Sequence, residues 1–482
     1  STLMPPDDID WRSIAEAALA RVAELEQKLA EQSKLLKELV ARLGKDSSNS
    51  HKPPSSDRPD QAGKRKEKRK DERKSSGRQA GGQPGHPGTT RELRPVEEAD
   101  RVVHHRPDHC DHCDASLAGA ADAGKPLPRQ QFELPPVKLE LIHHWLHSLS
   151  CPECAGVTTA RPGAEHTTGQ GPRLTSFIGL LSQRYRLSRS LVVDLLADVF
   201  GVRIATGTVQ SCVERVGASL EKPQEELEAA LREAPSVYLD ETGWRQWSEK
   251  AWLWVGATLD FTLFTIHPRR GKDVVEDWFP DGYNGYVHSD RWCVYNIFDV
   301  KKRQLCWSHL GRDLQAIIDA KGTGAQLAEA IRVGEKTMFR SWHAFKNGEL
   351  DRAGLKAATD AFRDHLKDYC EGGLAQDSDA ETCDHLWRKL GKSLLKLWPA
   401  VFNFLDVDGL EPTNNHAERQ IRAGVIWRKL TQGTRSDFGS ICAARLLSVT
   451  TTCRQRGRDA LDYLTEALTA HWRGRPPPAL VA

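Results

Sequence analysis

The apolar runs of strand length that could build a sizeable sheet concentrate between residues 237 and 308. Runs at 237–239, 251–258 and 261–267 have the spacing of a three-stranded antiparallel meander, and 286–289 and 304–308 add two further strands. A helix is expected to begin near Leu310. From about Ala316 to Leu405, Ala, Leu, Lys and Glu recur at helical spacing without a convincing strand. So local a set of strands, interrupted by one long helical block, points to a multidomain α+β protein.

Two of the predicted strands deliver carboxylates, Asp240 after residues 235–239 and Asp290 after residues 285–289, so both read as strand-end residues. Glu418 lies in Asn414-Asn415-His416-Ala417-Glu418-Arg419-Gln420-Ile421-Arg422, whose apolar spacing and arginines suggest a helix. Two strand carboxylates and a helical one are able to hold two Mg²⁺ ions about 3.5–4 Å apart, the arrangement used for in-line phosphoryl displacement. Taken alone, a strand-terminal Asp more often caps a turn or helix. Other features of the chain decide which reading is better.

Cys110-Asp-His-Cys113 and Cys151-Pro-Glu-Cys154 are two pairs in which a two-residue gap lets both thiolates face one ion, as in a tetrahedral Cys₄ structural zinc site. The 37 residues between the pairs (114–150) exceed a compact ribbon, so 132–134 and 137–146, which alternate, are expected to form a hairpin-like excursion. His109 and His112 are possible substitute ligands, and free or redox thiols are the competing reading. Cys293, Cys306 and Cys442 sit in apolar surroundings and read as core residues.

The 482 residues should form several domains, with enough apolar content for real cores outside the polar N-terminal stretch. Ala15, Ala18, Val22, Leu25, Leu29, Leu36, Leu39 and Leu43 share the a/d positions of one heptad register, with Gln32 as the polar exception and Gly44 as a helix stop. An oligomerising coiled coil over 1–45 explains this, and so does a surface helix packed on its own chain. Residues 46–95 are a basic linker whose Ser, Pro, Gly, Lys and Arg predict disorder without a partner. Its Lys64, Arg65 and Lys66 suit a phosphate backbone or merely a solvated linker. The net charge of +2 hides this segregation, because 64–74 and 419–475 are both basic.

The zinc module is assigned to 96–168, and 169–233 to a helical region with three short helices. Its 191–209 segment has the helix, Gly-containing turn and Thr-capped second helix of a helix-turn-helix, with Thr208, Gln210, Ser211 and Arg215 toward DNA. A plain supporting bundle fits equally. No apolar run approaches the roughly 20 residues of a membrane span and no export signal is evident, so a soluble, cytoplasmic protein without a membrane partner is expected.

In order and joint presence, several short motifs resemble the DDE transposases of the insertion sequence 66 family. They are the leucine-repeat start, Lys52-Pro53-Pro54-Ser55-Ser56-Asp57, Gly81-Gly82-Gln83-Pro84-Gly85-His86, the CxxC pairs, Asp240-Glu241-Thr242, His288-Ser289-Asp290, Cys306-Trp307-Ser308-His309-Leu310-Gly311-Arg312, and Asn414-Asn415-His416-Ala417-Glu418-Arg419. The resemblance implies a ribonuclease-H-like catalytic core split into 234–315 and 409–475 by a helical insertion at 316–408. It implies Asp240, Asp290 and Glu418 as the triad for Mg²⁺ or Mn²⁺, with Zn²⁺ structural. His309 and Arg312, three apart and able to share a helix face, would lie near the scissile phosphate or flanking DNA, or form a structural polar pair. Arg419 and Arg422 suit bidentate phosphate contact, with ion pairing inside the protein as the alternative. Asn414 or Asn415 is expected to cap the Glu418 helix. The activity implied is cleavage of insertion-sequence ends and strand transfer into target DNA, in a homo-oligomer (dimer or higher), with accessory proteins of the same element as further partners. The rival readings are an inactive DNA-binding regulator and a ribonuclease-H-like nuclease without strand transfer.

Overall fold

The computed structural model describes residues 11–43, 45, 49–50, 92–375 and 385–481. Lys64, Arg65, Lys66, most of the basic linker, Gly44 and the 52–57 and 81–86 motifs lie outside the described residues. The chain divides into two compact units, one formed by Ser1–Arg58 and Ile142–Ala482, the other by Pro59–Leu141.

The described part of the smaller unit contains no strand; it has a 3₁₀ turn at Val96–Glu98, an isolated bridge between His109 and Ser116, and, among its side-chain contacts, reciprocal hydrogen bonds between the Gln130 amide and the Arg94 backbone. The expected excursion through 132–134 and 137–146 is therefore corrected. These residues form no strand, and Phe132, Leu134, Ile142 and Trp145 are exposed. Alternation specifies a strand only where a neighbouring edge and a covering layer exist. In the larger unit, β1 (Ser148–Ser150) and β2 (Val157–Thr159) pair antiparallel instead, bracketing Cys151 and Cys154.

On helix α1 (Trp11–Leu43), the heptad residues Val22, Leu25, Leu29 and Leu36 are each half or more exposed. Four helices follow the β1–β2 hairpin: α2 (Pro172–Gln183), α3 (Arg189–Phe200), α4 (Thr206–Ser219) and α5 (Glu221–Glu233). Ser188 caps α3 by accepting from the Leu191 amide at 3.2 Å, and Gly201 ends it at φ 69°, a conformation glycine adopts without strain. The expected Thr cap of α4 is not found, because Ala205 occupies the cap position and makes no side-chain bond. Ile178, Leu181, Val192, Leu196, Val209 and Cys212 form the small core between α2, α3 and α4.

The sheet has five strands: β3 (Ser236–Gln246), β4 (Glu249–Ala257), β5 (Thr262–His267), β6 (Tyr286–Ser289) and β7 (Arg303–Leu305), in spatial order β5-β4-β3-β6-β7. The first three form the expected antiparallel meander, while β6 joins β3, and β7 joins β6, in parallel. Helix α6 (Asp273–Trp278) bridges β5 and β6, as a parallel connection requires. One sheet face, through Val237, Leu239, Trp254 and Leu263, meets Leu227, Leu231, Val275 and Trp278. The other, through Tyr238, Trp244, Leu253, Val255 and Phe264, receives the C-terminal helices.

The helical block begins at α7 (Trp307–Ala320), slightly earlier than the sequence suggests, and continues through α8 (Gly324–Lys346), α9 (Arg352–Leu374), α10 (His385–Lys396) and α11 (Asn403–Asp406). It has its own core of Leu310, Ile331, Met338, Trp342, Leu366 and Trp387. Its two ends are stitched together at β7. The Gln304 amide and Trp307 Nε1 both donate to the Val401 carbonyl, at 3.1 and 3.0 Å, and the Trp307 backbone N–H donates to the Pro412 carbonyl at 3.0 Å. The chain thus leaves the sheet and returns beside it. It then forms α12 (Asn415–Thr431), α13 (Asp437–Gln455) and α14 (Ala460–Trp472).

Helix α12 buries Ala417, Ile421, Gly424 and Trp427, a 3.6-residue stripe, against β3 and β4. A methyl group on Gly424 would strike Leu253, so glycine permits this close approach. Trp427 stacks on Trp244 with ring centroids 5.2 Å apart, fixing the far end of the helix.

Candidate active site

Register determines where the two aspartates lie. Tyr238 pairs with His288 across β3 and β6, and Asp240 and Asp290 each follow two residues later, level with one another on neighbouring parallel chains. Asp240 is not at a strand end as the sequence suggests, because the β3–β4 hairpin continues from the Asp240–Val255 pair to Gln246–Glu249. Side chains alternate along β3, so Asp240 shares the face of Tyr238, which α12 covers. Glu241 shares the opposite face with Leu239. There its buried carboxylate accepts from Tyr295 Oη and, at 3.0 and 2.5 Å, from the Arg270 guanidinium, which lies over Trp292.

Asp240 accepts from the Glu241 amide at 2.9 Å, and Asp290 from the Trp292 amide at 2.8 Å, which fixes each carboxylate to its own backbone. Beneath Asp290 the fully buried Arg303 donates to the Asp290 carbonyl at 3.1 Å, Ser289 Oγ at 3.2 Å and Asn296 Oδ1 at 2.8 Å. Burial lowers its guanidinium pKa to about 10.

Glu418 arrives on the first turn of α12, and Asn414 anchors that turn. Asn414 stands at the cap position but makes no side-chain cap bond, contrary to the sequence expectation. Instead its amide donates to the carbonyl of Leu239, the residue before Asp240, at 2.7 Å, and its backbone N–H meets Cys306 Sγ at 3.1 Å. Asn415 Oδ1 accepts from Ser308 Oγ at 3.1 Å. His416 Nε2 lies 2.7 Å from the Thr258 carbonyl and adds a pin to the sheet.

His309 and Arg312 do share a face of α7, and both reach Glu418. Arg312 Nη2 is 3.3 Å, and His309 Nδ1 3.6 Å, from Glu418 Oε1. Burial first, then the negative charges of Glu241, Asp290 and Glu418, push Asp240 well above the ordinary carboxylate range. Asp240 therefore feels the charge of its acidic neighbours, although the oxygens of Asp240, Asp290 and Glu418 as a trio spread wider than 4.8 Å. Arg419 and Arg422 are exposed on α12 and make no ion pair among the described residues. Gln210, by contrast, is occupied by Arg189 and Glu214, and Arg215 is half-buried.

One of the cysteines read as core differs, and one agrees but has polar company. Cys293 is exposed in a 3₁₀ turn, and Cys306, though buried, lies beside His309 and Glu418. Each zinc-knuckle candidate folds into the same turn. The Cys110 amide donates to Ala115 O at 2.9 Å and Asp114 adopts φ 59°, while the Cys151 amide donates to Gly156 O at 2.8 Å and Ala155 adopts φ 57°. In both, backbone N–H groups aimed at the first thiol, from His112 and Cys113 or from Cys154 and Glu153, lower its pKa.

A family model described as Transposase IS66 family matches residues 180–440, which includes the sheet, all three carboxylates and the helical block. The chain belongs to this family. Residues 3–92 of this IS66 family member match a family of unknown function, DUF6444. An uncharacterized protein, y4qI, of Sinorhizobium fredii (strain NBRC 101917 / NGR234) is 23% identical over 312 residues, covering 58% of this chain and 56% of the relative. The chain thus spans little more than half the length of that relative. No described helix is long and apolar enough to cross a membrane.

Proposed function

We propose that the chain is a DDE-type transposase that cuts the DNA ends of an insertion sequence and joins them to target DNA, using Asp240, Asp290 and Glu418 as a metal-holding triad on a ribonuclease-H-like core. The reading rests above all on the level register of Asp240 and Asp290 with a glutamate-bearing helix pinned across them, in a chain whose family is that of transposases. Carboxylate oxygens suit Mg²⁺ or Mn²⁺, and both causes that raise Asp240, its burial first and then the charge of its acidic neighbours, are what a bound divalent cation would offset. When bound, such ions would supply Lewis acidity to the attacking oxygen and charge to the departing 3′ oxygen.

Protein groups do the rest. Arg312 and His309 hold the Glu418 carboxylate, and the Asn414 pin keeps its helix against the Asp240 strand. Arg419 and Arg422, one exposed beside Glu418 and the other a turn later, bind phosphates of the DNA end. A water oxygen attacks phosphorus and the P–O3′ bond breaks. The freed 3′-OH then attacks a phosphodiester of the target, releasing another 3′-OH. Both steps are in-line substitutions, so one site serves both without a protein-linked intermediate. Cys110 with Cys113, and Cys151 with Cys154, are each proposed as a zinc-binding knuckle, each supported by its own preorganised turn. The exposed heptad residues Val22, Leu25, Leu29 and Leu36 of α1 support a coiled-coil dimer or higher oligomer.

The test is a supercoiled-plasmid nicking and strand-transfer assay with Mg²⁺ or Mn²⁺, using the parent, Asp240→Ala, Asp290→Ala and Glu418→Ala. The expected result is DNA binding by all four and cutting and joining by the parent alone. Equal activity in all four overturns the triad, and cutting without joining replaces the transposase reading with a nuclease.

A further inference from the structure

Beside the triad lies a second set of donors of a different chemical kind. Cys306 follows β7 and occupies the cap position of α7, His309 sits in the first turn of α7, and Glu418 lies opposite on α12. Among the described residues these are the one group of three or more His, Cys, Asp or Glu side chains whose donor atoms all lie within 4.8 Å of one another. Cys306 and His309 are 1% and 8% exposed. Asn414, whose N–H meets Cys306 Sγ, is also 1% exposed, and its side-chain oxygen has no hydrogen-bond partner among the described residues. A buried acceptor left without a partner, on the residue whose backbone N–H meets the Cys306 thiol, is costly in a close-packed interior.

Sulfur, nitrogen and oxygen together do not suit magnesium, which takes oxygen ligands, but they do suit zinc. Tetrahedral zinc with bonds of 2.0–2.3 Å places its donors about 3.5 Å apart. His309 Nδ1 and Glu418 Oε1 are already 3.6 Å apart. Rotamer adjustments of about 1 Å would close the widest pair to that spacing. Arg312 also touches Glu418 Oε1 and opposes an added cation, so the site should bind more weakly than a structural one.

We infer that Cys306, His309 and Glu418 form a binding site for a thiophilic divalent cation, zinc above all, and that this ion competes with magnesium for Glu418. On binding, the S–H bond of Cys306 gives way to a sulfur–zinc bond and its proton passes to water. The competition half rests on the proposed role of Glu418 in the triad, whereas the binding half does not. Zinc held here withdraws the helical carboxylate from the two aspartates and silences cutting, so the site acts as an inhibitory metal sensor.

The full chain is equilibrated with zinc chloride and bound zinc per chain is counted by elemental analysis, for the parent, Cys306→Ala and Glu418→Gln. The expected result is one ion fewer in each variant. Cobalt(II) loading should give a thiolate-to-cobalt absorption whose intensity drops in Cys306→Ala. Glu418→Gln keeps the shape of the side chain and serves if Cys306→Ala does not fold. Equal zinc counts in parent and folded variants overturn the site. Zinc is then titrated into the nicking assay at fixed Mg²⁺, each protein being scored against its own zinc-free rate. The half-inhibitory concentration should rise at least about 10-fold in Cys306→Ala, since losing even a group that merely orients a ligand typically costs about 10–100-fold in affinity. Unchanged sensitivity overturns the competition. Failure of the triad assay would sink the proposed function while leaving the zinc count intact, so the two failures are distinguishable.

Discussion

The strand half and the helix half of the site are held in place by different means. Asp240 and Asp290 belong to neighbouring chains of one sheet, where the Tyr238–His288 pair sets their level and backbone amides hold their carboxylates. Glu418 returns only after the whole helical block, and no ladder connects it to either aspartate. Its position depends on individual side chains, chiefly Asn414 reaching the Leu239 carbonyl, His416 at Thr258, and Arg312 and His309 at the carboxylate itself. Ladder hydrogen bonds are redundant, whereas the pins are single. The helix half should therefore be the more easily disturbed by substitutions outside the triad.

The largest effect tests the strand half. Asp240→Asn should lower plasmid nicking by about 10³-fold or more, since metal-borne charge stabilisation is worth several kcal/mol and each 1.36 kcal/mol is a factor of ten. The same variant should be more stable than the parent in EDTA at neutral pH. Burial and three neighbouring carboxylates raise the folded pKa of Asp240 above its unfolded value, so the folded state binds the proton more tightly. The charged form thus costs stability at neutral pH, and that cost fades as pH falls toward the ordinary carboxylate range. The advantage of Asp240→Asn in thermal unfolding should shrink in step with pH. An advantage that grows on acidification would contradict this account, as would parent and variant gaining equally from added Mg²⁺.

Next in size is Asn414→Ala, which tests the helix half. It removes the pin on the buried Leu239 carbonyl at about 1–3 kcal/mol. Loss of a group that orients a ligand typically weakens metal affinity by 10–100-fold. The Mg²⁺ concentration for half-maximal nicking should rise by that factor, with activity restored at high Mg²⁺. A fall in maximal rate that excess Mg²⁺ does not restore would place Asn414 in contact with DNA instead. Arg312→Gln should act in the same direction but less, because His309 still faces Glu418.

The same contrast explains what the sequence disclosed. Strand carboxylates are legible because period-two alternation assigns Asp240 and Glu241 to opposite faces before any coordinate is known. The exact end of β3 is not legible, because the apolar run stops at Leu239 while pairing with β4 carries the strand to Gln246. Long-range relations are the least legible. Cys306 reads as an ordinary core thiol, since only folding brings Glu418 beside it across more than a hundred residues. Asn414 looks like a helix cap because Asn commonly caps, yet the nearby Leu239 carbonyl takes its amide. Residues 132–146 show the converse, an alternating pattern without the sheet edge that would turn it into a strand.

The smallest effect separates the two faces of α12. The inward stripe of Ala417, Ile421 and Trp427 packs on the sheet, while Arg419 and Arg422 are exposed and unpaired among the described residues. If each guanidinium contacts one DNA phosphate, its replacement by Ala should reduce the slope of log affinity against log salt by about 1. Affinity should fall alike for any DNA sequence, because phosphate contacts carry no base information. The unfolding midpoint should stay within about 0.5 kcal/mol of the parent, as expected for surface positions. Binding titrations of Arg419→Ala and Arg422→Ala from low to moderate salt give the answer. An unchanged slope would remove these arginines from the DNA contact. A fall in stability with the slope intact would assign them to the helix itself, and Glu418 would then share its helix with no part of the DNA surface.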